Sequence, residues 1–146
     1  MKWLICVVCI LINCTVAAAA SDSVGIIKTA TGTVSIERAQ KVLPVKTGDK
    51  IFEGDTLRTG NGGSLGAVLM DESFISIGPN SAIVISEFHF APEKGKFSFI
   101  TRMLKGTAAY LSGIIAKLSP QSVRFETPVA AVGIRGTKFL VHVDDD

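Results

Sequence analysis

The chain has 146 residues, of which 47% are hydrophobic and 19% are charged, and its 15 lysines and arginines stand against 13 acidic residues. Such a near balance, with both signs scattered along the sequence, gives no support to nucleic acid or an anionic membrane surface as the main partner. All three cysteines, Cys6, Cys9 and Cys14, lie near the start, which excludes disulfide and thiolate chemistry from the remainder.

The start of the chain has the pattern of an export signal. Lys2 is followed by an apolar run over residues 3–16 and then by four alanines that end at Ala20. The apolar run is too short to span a bilayer comfortably. Ala18 and Ala20 form the small-x-small pattern that signal peptidase cleaves, so the pattern favours cleavage and export.

We expect residues 1–20 to be a signal peptide and residues 21–146 to form a single domain. This domain is expected to be exported to the bacterial periplasm or outside the cell, with no stable membrane span after cleavage. An uncleaved membrane anchor is the alternative. A lipoprotein is disfavoured because Asn13 stands directly before Cys14, where a lipidated cysteine is normally preceded by Gly, Ala or Ser.

From Val24 onward, short alternating apolar runs are separated by glycines and other turn-forming residues, which is the pattern of β-strands. Strands are expected at residues 33–36, 42–45, 64–70, 74–77, 82–90, around 97–99, 105–111, 123–127 and 137–143. The pattern therefore predicts an all-β fold.

A local repeat follows the second of these strands. Gly48-Asp49-Lys50-Ile51 recurs six residues later as Gly54-Asp55-Thr56-Leu57. Each Gly-Asp pair predicts a turn, and Ile51 and Leu57 are expected to point into the core.

Further turns are predicted at residues 60–63, at 71–73 as a hairpin tip, and at 78–81. Within residues 82–90 the buried face changes, since the isoleucines and the phenylalanines fall on opposite parities. A bulge or bend near Ser86 reconciles the two halves of that strand.

Residues 104–118 carry apolar side chains at helix-like spacings of three and four. Gly106 and Gly113 argue against one long helix, because each glycine costs about 1 kcal/mol relative to alanine inside a helix. We therefore expect a strand that ends at Leu111 and then a single helical turn before Pro120.

The block from Thr127 to Phe139, TPVAAVGIRGTKF, resembles the signature of the FecR family. Upstream segments resemble elements of that family in the same order, and the resemblance spans residues 32–143. These segments are the doubled Gly-Asp at Gly48 and Gly54, LRTG at 57–60, MDES at 70–73, IGPNS at 77–81 and LKG at 104–106.

The resemblance implies a periplasmic all-β domain of the kind found in sensors that pass a signal from an outer-membrane receptor to a cytoplasmic sigma factor. Full-length regulators of the family begin with a sigma-binding segment and a transmembrane helix, whereas an export signal comes first here. We therefore expect an isolated, secreted copy of the sensing domain. Its short antiparallel and solenoid-like strands are expected to form a small β-sandwich or β-solenoid, with at most one short helical turn.

The signature block also has a structural interpretation from its residues alone. Pro128 removes a ladder hydrogen bond and keeps Thr127 extended. Gly133 and Gly136 permit a bulge or a close backbone approach around Arg135. The candidate site residues are Thr127, Pro128, Gly133, Arg135, Gly136 and Thr137, together with Gly48, Asp49, Gly54 and Asp55 upstream.

The guanidinium of Arg135 is expected to bind a carboxylate such as Asp55 or Asp71, or a buried carbonyl. The functional alternative is an anionic group on a partner. We favour the internal partner, because an arginine between two glycines in an apolar stretch needs one.

No catalytic constellation is recognisable in the sequence. His89 and His142 are the candidate bases, but neither lies beside a Gly-x-Ser-x-Gly nucleophile elbow. Two isolated histidines without a cysteine do not suit zinc, and the acids at residues 71–72 fall on a predicted hairpin tip where exposed charges are usual. The aspartates at 144–146 fit a solvated tail better than a calcium site. We expect no enzyme activity and no cofactor.

The sequence therefore favours an exported binding or sensory module whose partner is another envelope protein or an extracellular ligand. The final strand, near residues 139–143, is expected to be exposed and to suit pairing with a partner strand. One alternative is a structural component of the envelope. The other is an enzyme acting on a polymer, whose cleft would have to bring together Glu53, Asp55, Asp71 and Glu72.

Overall fold

The computed structural model describes residues 22–133 and 138–144, which form a curled, half-barrel sheet with a single short α-helix. This confirms the expected all-β class. The strands are β1 (Gly25–Thr31), β2 (Val34–Arg38), β3 (Lys41–Pro44), β4 (Lys50–Ile51), β5 (Thr56–Thr59), β6 (Ser64–Leu69), β7 (Phe74–Ile77), β8 (Ala82–Ala91), β9 (Lys96–Leu111), β10 (Val123–Glu126), β11 (Ala131–Gly133) and β12 (Lys138–Val143). The helix α1 spans Ile114–Leu118, and turns of 3-10 helix lie at Pro92–Lys94 and Pro120–Ser122.

The longest strand, β9, lies at the centre of the sheet, whose main path is β3-β2-β5-β8-β9-β7-β6-β1-β4. At residues 99–102, β9 has antiparallel β8 on one side and parallel β10 on the other. At residues 108–111, it has β7 on one side and β12 on the other, both antiparallel. All the main parts of the sheet therefore meet on β9.

The separation of β9 into two strands, around 97–99 and over 105–111, was wrong. Phe99, Thr101 and Met103 are all fully buried, so the inward alternation continues across the gap. A spacing of four residues places side chains on one face in a strand as well as in a helix, which is why the pattern was ambiguous. The single helical turn expected before Pro120 is confirmed as α1.

Gly106 lies where β9 passes from β8 to β7. Its φ of 89° is in the left-handed region, which glycine adopts at little cost. A Cβ at this position would lie 2.6 Å from Ser81 Cα, in the turn between β7 and β8. Thr107 N donates a hydrogen bond of 3.0 Å to Ser81 Oγ, so this turn packs directly against the β9 backbone.

Gly106→Ala is expected to lower the free energy of unfolding by about 2 kcal/mol, because it combines a strained φ with a clash against backbone. Gly95→Ala is the matched control, since Gly95 has a φ of 63° but open space where a Cβ would be. The control is expected to lose only about 1 kcal/mol. Urea unfolding followed by circular dichroism measures both, and equal losses would contradict the tight packing at Gly106.

The doubled Gly-Asp forms two equivalent turns. In each turn the aspartate carboxylate accepts a hydrogen bond of 2.9 Å from the backbone N–H three residues before it, and the glycine has a positive φ. Ile51 and Leu57, which follow the two turns, are fully buried as expected.

The bulge expected near Ser86 is also confirmed. The register between β8 and β9 shifts between Ile85 and Glu87. The Phe88 N–H that follows the bulge donates a hydrogen bond of 3.0 Å to Glu53 Oε2. The bulge thus turns the second half of β8 so that its phenylalanines face inward.

Aromatic rings form a chain through the core. The ring centroids of Phe88 and Phe99 are 5.7 Å apart, as are those of Phe99 and Tyr110. Phe139 continues the chain, with its centroid 5.5 Å from Tyr110 and 5.1 Å from Phe125. The chain joins β8, β9, β10 and β12, so the last strand is packed onto the core.

Candidate functional site

The strand β12 has one paired edge and one open edge. It pairs with β9 from Lys138, opposite Leu111, to Val143, opposite Gly106. Among the described residues no strand pairs with its other edge. A row of backbone N–H and C=O groups therefore faces outward along this edge.

The side chains of β12 alternate between the two faces of the sheet. Phe139, Val141 and Val143 are half-buried and pack against the core. Lys138, Leu140 and His142 are exposed, and 68% of Leu140 is accessible. The inward side chains of β12 thus pack against the core, while its outward face carries an apolar side chain, Leu140, in contact with solvent.

His142 ties the end of β12 to its neighbours. Its Nδ1 lies 2.9 Å from Thr107 Oγ1 on β9, and its Nε2 lies 2.9 Å from Asp144 Oδ1. A hydroxyl, an imidazole and a carboxylate in series are the parts of a catalytic triad. His142 and Asp144 are 64% and 85% exposed, however, so no pocket excludes water from these groups. We interpret the two contacts as structural, because they hold the end of β12 against β9.

An apolar row crosses the outer face of the sheet and ends at β12. Ile26, Val68, Phe74 and Leu111 stand directly opposite one another on β1, β6, β7 and β9, and the row ends at Lys138. The first three are half-buried and Leu111 is exposed. The open edge is therefore continuous with an apolar strip of the sheet face.

Other edges of the sheet in the described part of the chain are shorter or protected. β3 carries Lys41 and Pro44, two residues that discourage pairing with a further strand. β4 has two residues and β11 has three. β12 has six residues and no proline, with its one lysine, Lys138, at the start of the strand, so its open edge is longer than those of β3, β4 and β11.

Asp55 binds an arginine that sequence reasoning missed. It is 1% exposed, and its carboxylate accepts two hydrogen bonds from Arg38, one from Nε at 2.8 Å and one from Nη2 at 2.7 Å. The Phe52 N–H donates a third, at 2.9 Å, and the Arg38 guanidinium lies 4.5 Å from the centre of the Phe52 ring. The hydrogen bonds to Asp55 raise the pKa of Arg38 above its ordinary value.

Asp71 was expected to be an exposed charge at a hairpin tip, and this was wrong. It is fully buried, and its carboxylate accepts hydrogen bonds from the backbone N–H groups of Ser73, at 3.1 Å, and Ile115, at 3.3 Å. The start of α1 supplies donors that have no partner within the helix, and the carboxylate satisfies one of them. Beside it, burial raises the pKa of the Tyr110 hydroxyl, which lies 3.2 Å from Ser73 Oγ.

The described part of the signature block is a turn between β10 and β11. Thr127 Oγ1 accepts a hydrogen bond from Ala130 N at 3.1 Å, and Thr127 N donates one to Ala130 O at 2.7 Å. Pro128 lies inside this turn and Gly133 ends β11. A threonine suits the first position of this turn, because its side-chain hydroxyl accepts the hydrogen bond from Ala130 N.

Arg135, Gly136 and Thr137 lie outside the described residues, as does the expected signal peptide at 1–20. The internal partner of Arg135 stays a prediction. Both carboxylates considered for it have other partners, since Asp55 binds Arg38 and Asp71 binds backbone N–H groups.

The histidines and acids considered as catalytic residues are far apart or already bind other groups of the protein. His89 is 60% exposed on β8, with Glu87 as its nearest acid at 3.7 Å. Glu53 and Asp55 share a shallow hollow, but Asp71 is fully buried, so the four acids weighed for a polymer-degrading enzyme do not line one cleft. In residues 22–133 and 138–144 no group of three or more His, Cys, Asp or Glu residues is placed to hold a metal ion.

The described residues thus define a class of protein, an all-β domain whose candidate site is a strand edge. The model of the FecR family, described as FecR protein, matches residues 55–146, which is more than half of the chain. The chain belongs to the FecR family, and this membership indicates a non-catalytic domain associated with the cell envelope.

A solved structure titled "Cell surface anchoring domain" is 30% identical, with a TM-score of 0.41, and the match covers 42% of this chain and 83% of that chain. No curated protein matched the chain. Within the described ranges, no helix has the length and apolar character needed to cross a membrane.

Proposed function

We propose that the chain is an exported, non-catalytic binding module of the bacterial envelope that recognises a protein partner by adding a strand to the open edge of β12. The single observation that carries the proposal is this edge, six residues long and without a proline, next to the exposed Leu140. Membership of the FecR family supports the envelope location.

Strand addition suits the chemistry of this edge. Main-chain hydrogen bonds give such an interface its affinity, and alternate side chains give it specificity. Here Phe139 and Val141 present an apolar surface toward the core side, while Leu140 presents one on the outer face. An incoming strand with apolar residues on both faces fits this arrangement.

The core holds β12 in place before a partner arrives. Phe139 contacts two aromatic rings of the core, and His142 binds Thr107 on β9. An edge that is already ordered loses little conformational entropy on binding. This favours recognition by the folded domain over folding on contact.

Two proline variants test the proposal. Backbone N–H groups alternate between the two edges of a strand, so Leu140→Pro and Val141→Pro differ in which edge loses a donor. The variant that removes the outward donor is expected to keep the melting temperature and to lose capture of envelope proteins. The variant that removes the inward donor is expected to lower the melting temperature, because it loses a backbone hydrogen bond to β9.

Capture is measured by pull-down from periplasmic extract with the wild type and each variant. Val42→Pro on the edge of β3 is the matched control, because Val42 is 68% exposed on an edge that already contains a proline. The control is expected to retain every partner. Identical partner lists for the wild type and the folded β12 variant would overturn the strand-addition function.

A structural component of the envelope, built from copies of this chain, is the second candidate function. It is favoured by Lys138 at the start of β12 and Asp144 directly after its end, which can pair with each other between two antiparallel copies.

A further inference from the structure

We infer that the strand added to β12 is β12 of a second copy of this chain, paired antiparallel about a twofold axis at Val141. The inference rests on the proposed strand addition to β12 and names a second copy of the chain as the partner, which is the occupant that the second candidate function requires. It is carried by the order of side chains from Lys138 to Asp144 along the open edge.

In this register the charged residues at the two ends of the segment and the inward apolar residues stand opposite suitable partners. Lys138 of one copy stands opposite Asp144 of the other, and the twofold axis produces this pair twice. Phe139 stands opposite Val143, and Val141 stands opposite itself. Opposite charges and apolar pairs directly across from each other stabilise an antiparallel ladder.

Neighbouring registers lose this complementarity. Moving the axis to Leu140 sets Lys138 opposite His142, and moving it to His142 sets Leu140 opposite Asp144. A slip of one residue would place inward side chains beside outward ones, because the side-chain period of a strand is two. Within residues 138–144, the register centred on Val141 is the one that sets Lys138 opposite an aspartate.

The pairing also covers the exposed apolar side chain of β12. In the register centred on Val141, Leu140 stands opposite His142, so that Leu140 of the second copy is its diagonal neighbour. Diagonal neighbours on an antiparallel pair are within reach of long side chains. Two leucines that are each 68% exposed in the separate chain would thus shield one another.

The carboxylate of Asp144 is positioned for this role. Its Oδ1 lies 2.9 Å from His142 Nε2, which leaves Oδ2 to accept from the lysine of the second copy. His142 is itself held by Thr107 on β9. The acid that would meet the lysine is therefore connected to the central strand of the sheet.

Charge reversal tests the register directly. The full chain is exported, purified from the periplasm, and studied by sedimentation velocity over a range of concentrations. The wild type is expected to show a monomer–dimer equilibrium. Lys138→Asp and Asp144→Lys each set like charges opposite one another twice, and each is expected to raise the dimer dissociation constant by roughly tenfold or more.

Mixing the two charge variants tests whether residues 138 and 144 of different copies face each other. In a mixed dimer, the aspartate introduced at 138 meets the lysine introduced at 144, and the native Lys138 meets the native Asp144. Native mass spectrometry of the mixture is therefore expected to show the mixed dimer in preference to either dimer of identical copies. Arg124→Asp, which reverses an exposed charge on β10, is the matched control and is expected to leave dimerisation unchanged.

Each outcome is decisive for one of the two ideas. A monomeric wild type, or a dimer that neither charge variant weakens, would overturn the second copy as the partner. The strand-addition function would still stand if a folded proline variant of β12 lost its captured proteins. A mixture without preference for the mixed dimer would overturn the register centred on Val141.

Discussion

Phe99→Ala is expected to lower the free energy of unfolding by about 4 kcal/mol. Phe99 is fully buried on the central strand, and its ring contacts those of Phe88 and Tyr110. The substitution removes the middle of the aromatic chain and leaves a cavity that rigid neighbouring strands cannot fill. The loss is the sum of the transfer free energy of the ring and the cost of that cavity.

Phe97→Ala is the matched control for this prediction. Phe97 lies two residues earlier on the same strand, is half-buried, and contacts Phe90 with a centroid distance of 6.3 Å. Its loss is expected to be about 1 kcal/mol, since less apolar surface is removed from the interior. Urea unfolding of both variants at one protein concentration compares them, and similar losses would show that Phe99 is not central to the core.

Arg38→Ala is expected to cost about 3 kcal/mol, because it leaves the Asp55 carboxylate buried without its cation. Arg38 is 36% exposed whereas Asp55 is 1% exposed, so the penalty falls mainly on the acid. Arg38→Lys is expected to recover only part of the loss, since lysine keeps the charge but not the two parallel hydrogen bonds.

Arg58→Ala provides the comparison within the same part of the sheet. Arg58 pairs with Glu37 at 2.9 Å, and the two side chains are 39% and 37% exposed. Solvent screens such a pair, and its removal is expected to cost less than about 1 kcal/mol. If denaturant titrations gave Arg38→Ala and Arg58→Ala the same loss, the buried carboxylate would not be the cause.

Most strands were predictable from the sequence, because their inward residues alternate and their turns contain glycine with aspartate or asparagine. The doubled Gly-Asp and the bulge at Ser86 are local features, and both were predicted correctly. The exposed final strand was predicted as well, although its pairing with β9 was not. A register between distant strands is a property of the folded sheet and leaves no local signal.

Two errors concern residues whose partners are distant in the sequence. Arg38 and Asp55 are 17 positions apart, and nothing near Arg38 in the sequence distinguishes it from an arginine that lies in solvent. Asp71 has the sequence context of an exposed hairpin tip, but α1 brings the Ile115 N–H to its carboxylate from 44 positions away. Such donors become visible only when the helix is placed against the tip.

Four strands, β7, β8, β10 and β12, all pair with β9, which makes the unfolding of this part of the sheet cooperative. None of these four strands can separate without breaking its ladder to β9, so we expect this central part of the sheet to lose structure all-or-none. A strand bound at β12 would then slow amide exchange far from the contact, in β8 and β10 as well as at the edge, because exchange there requires opening of this central part of the sheet.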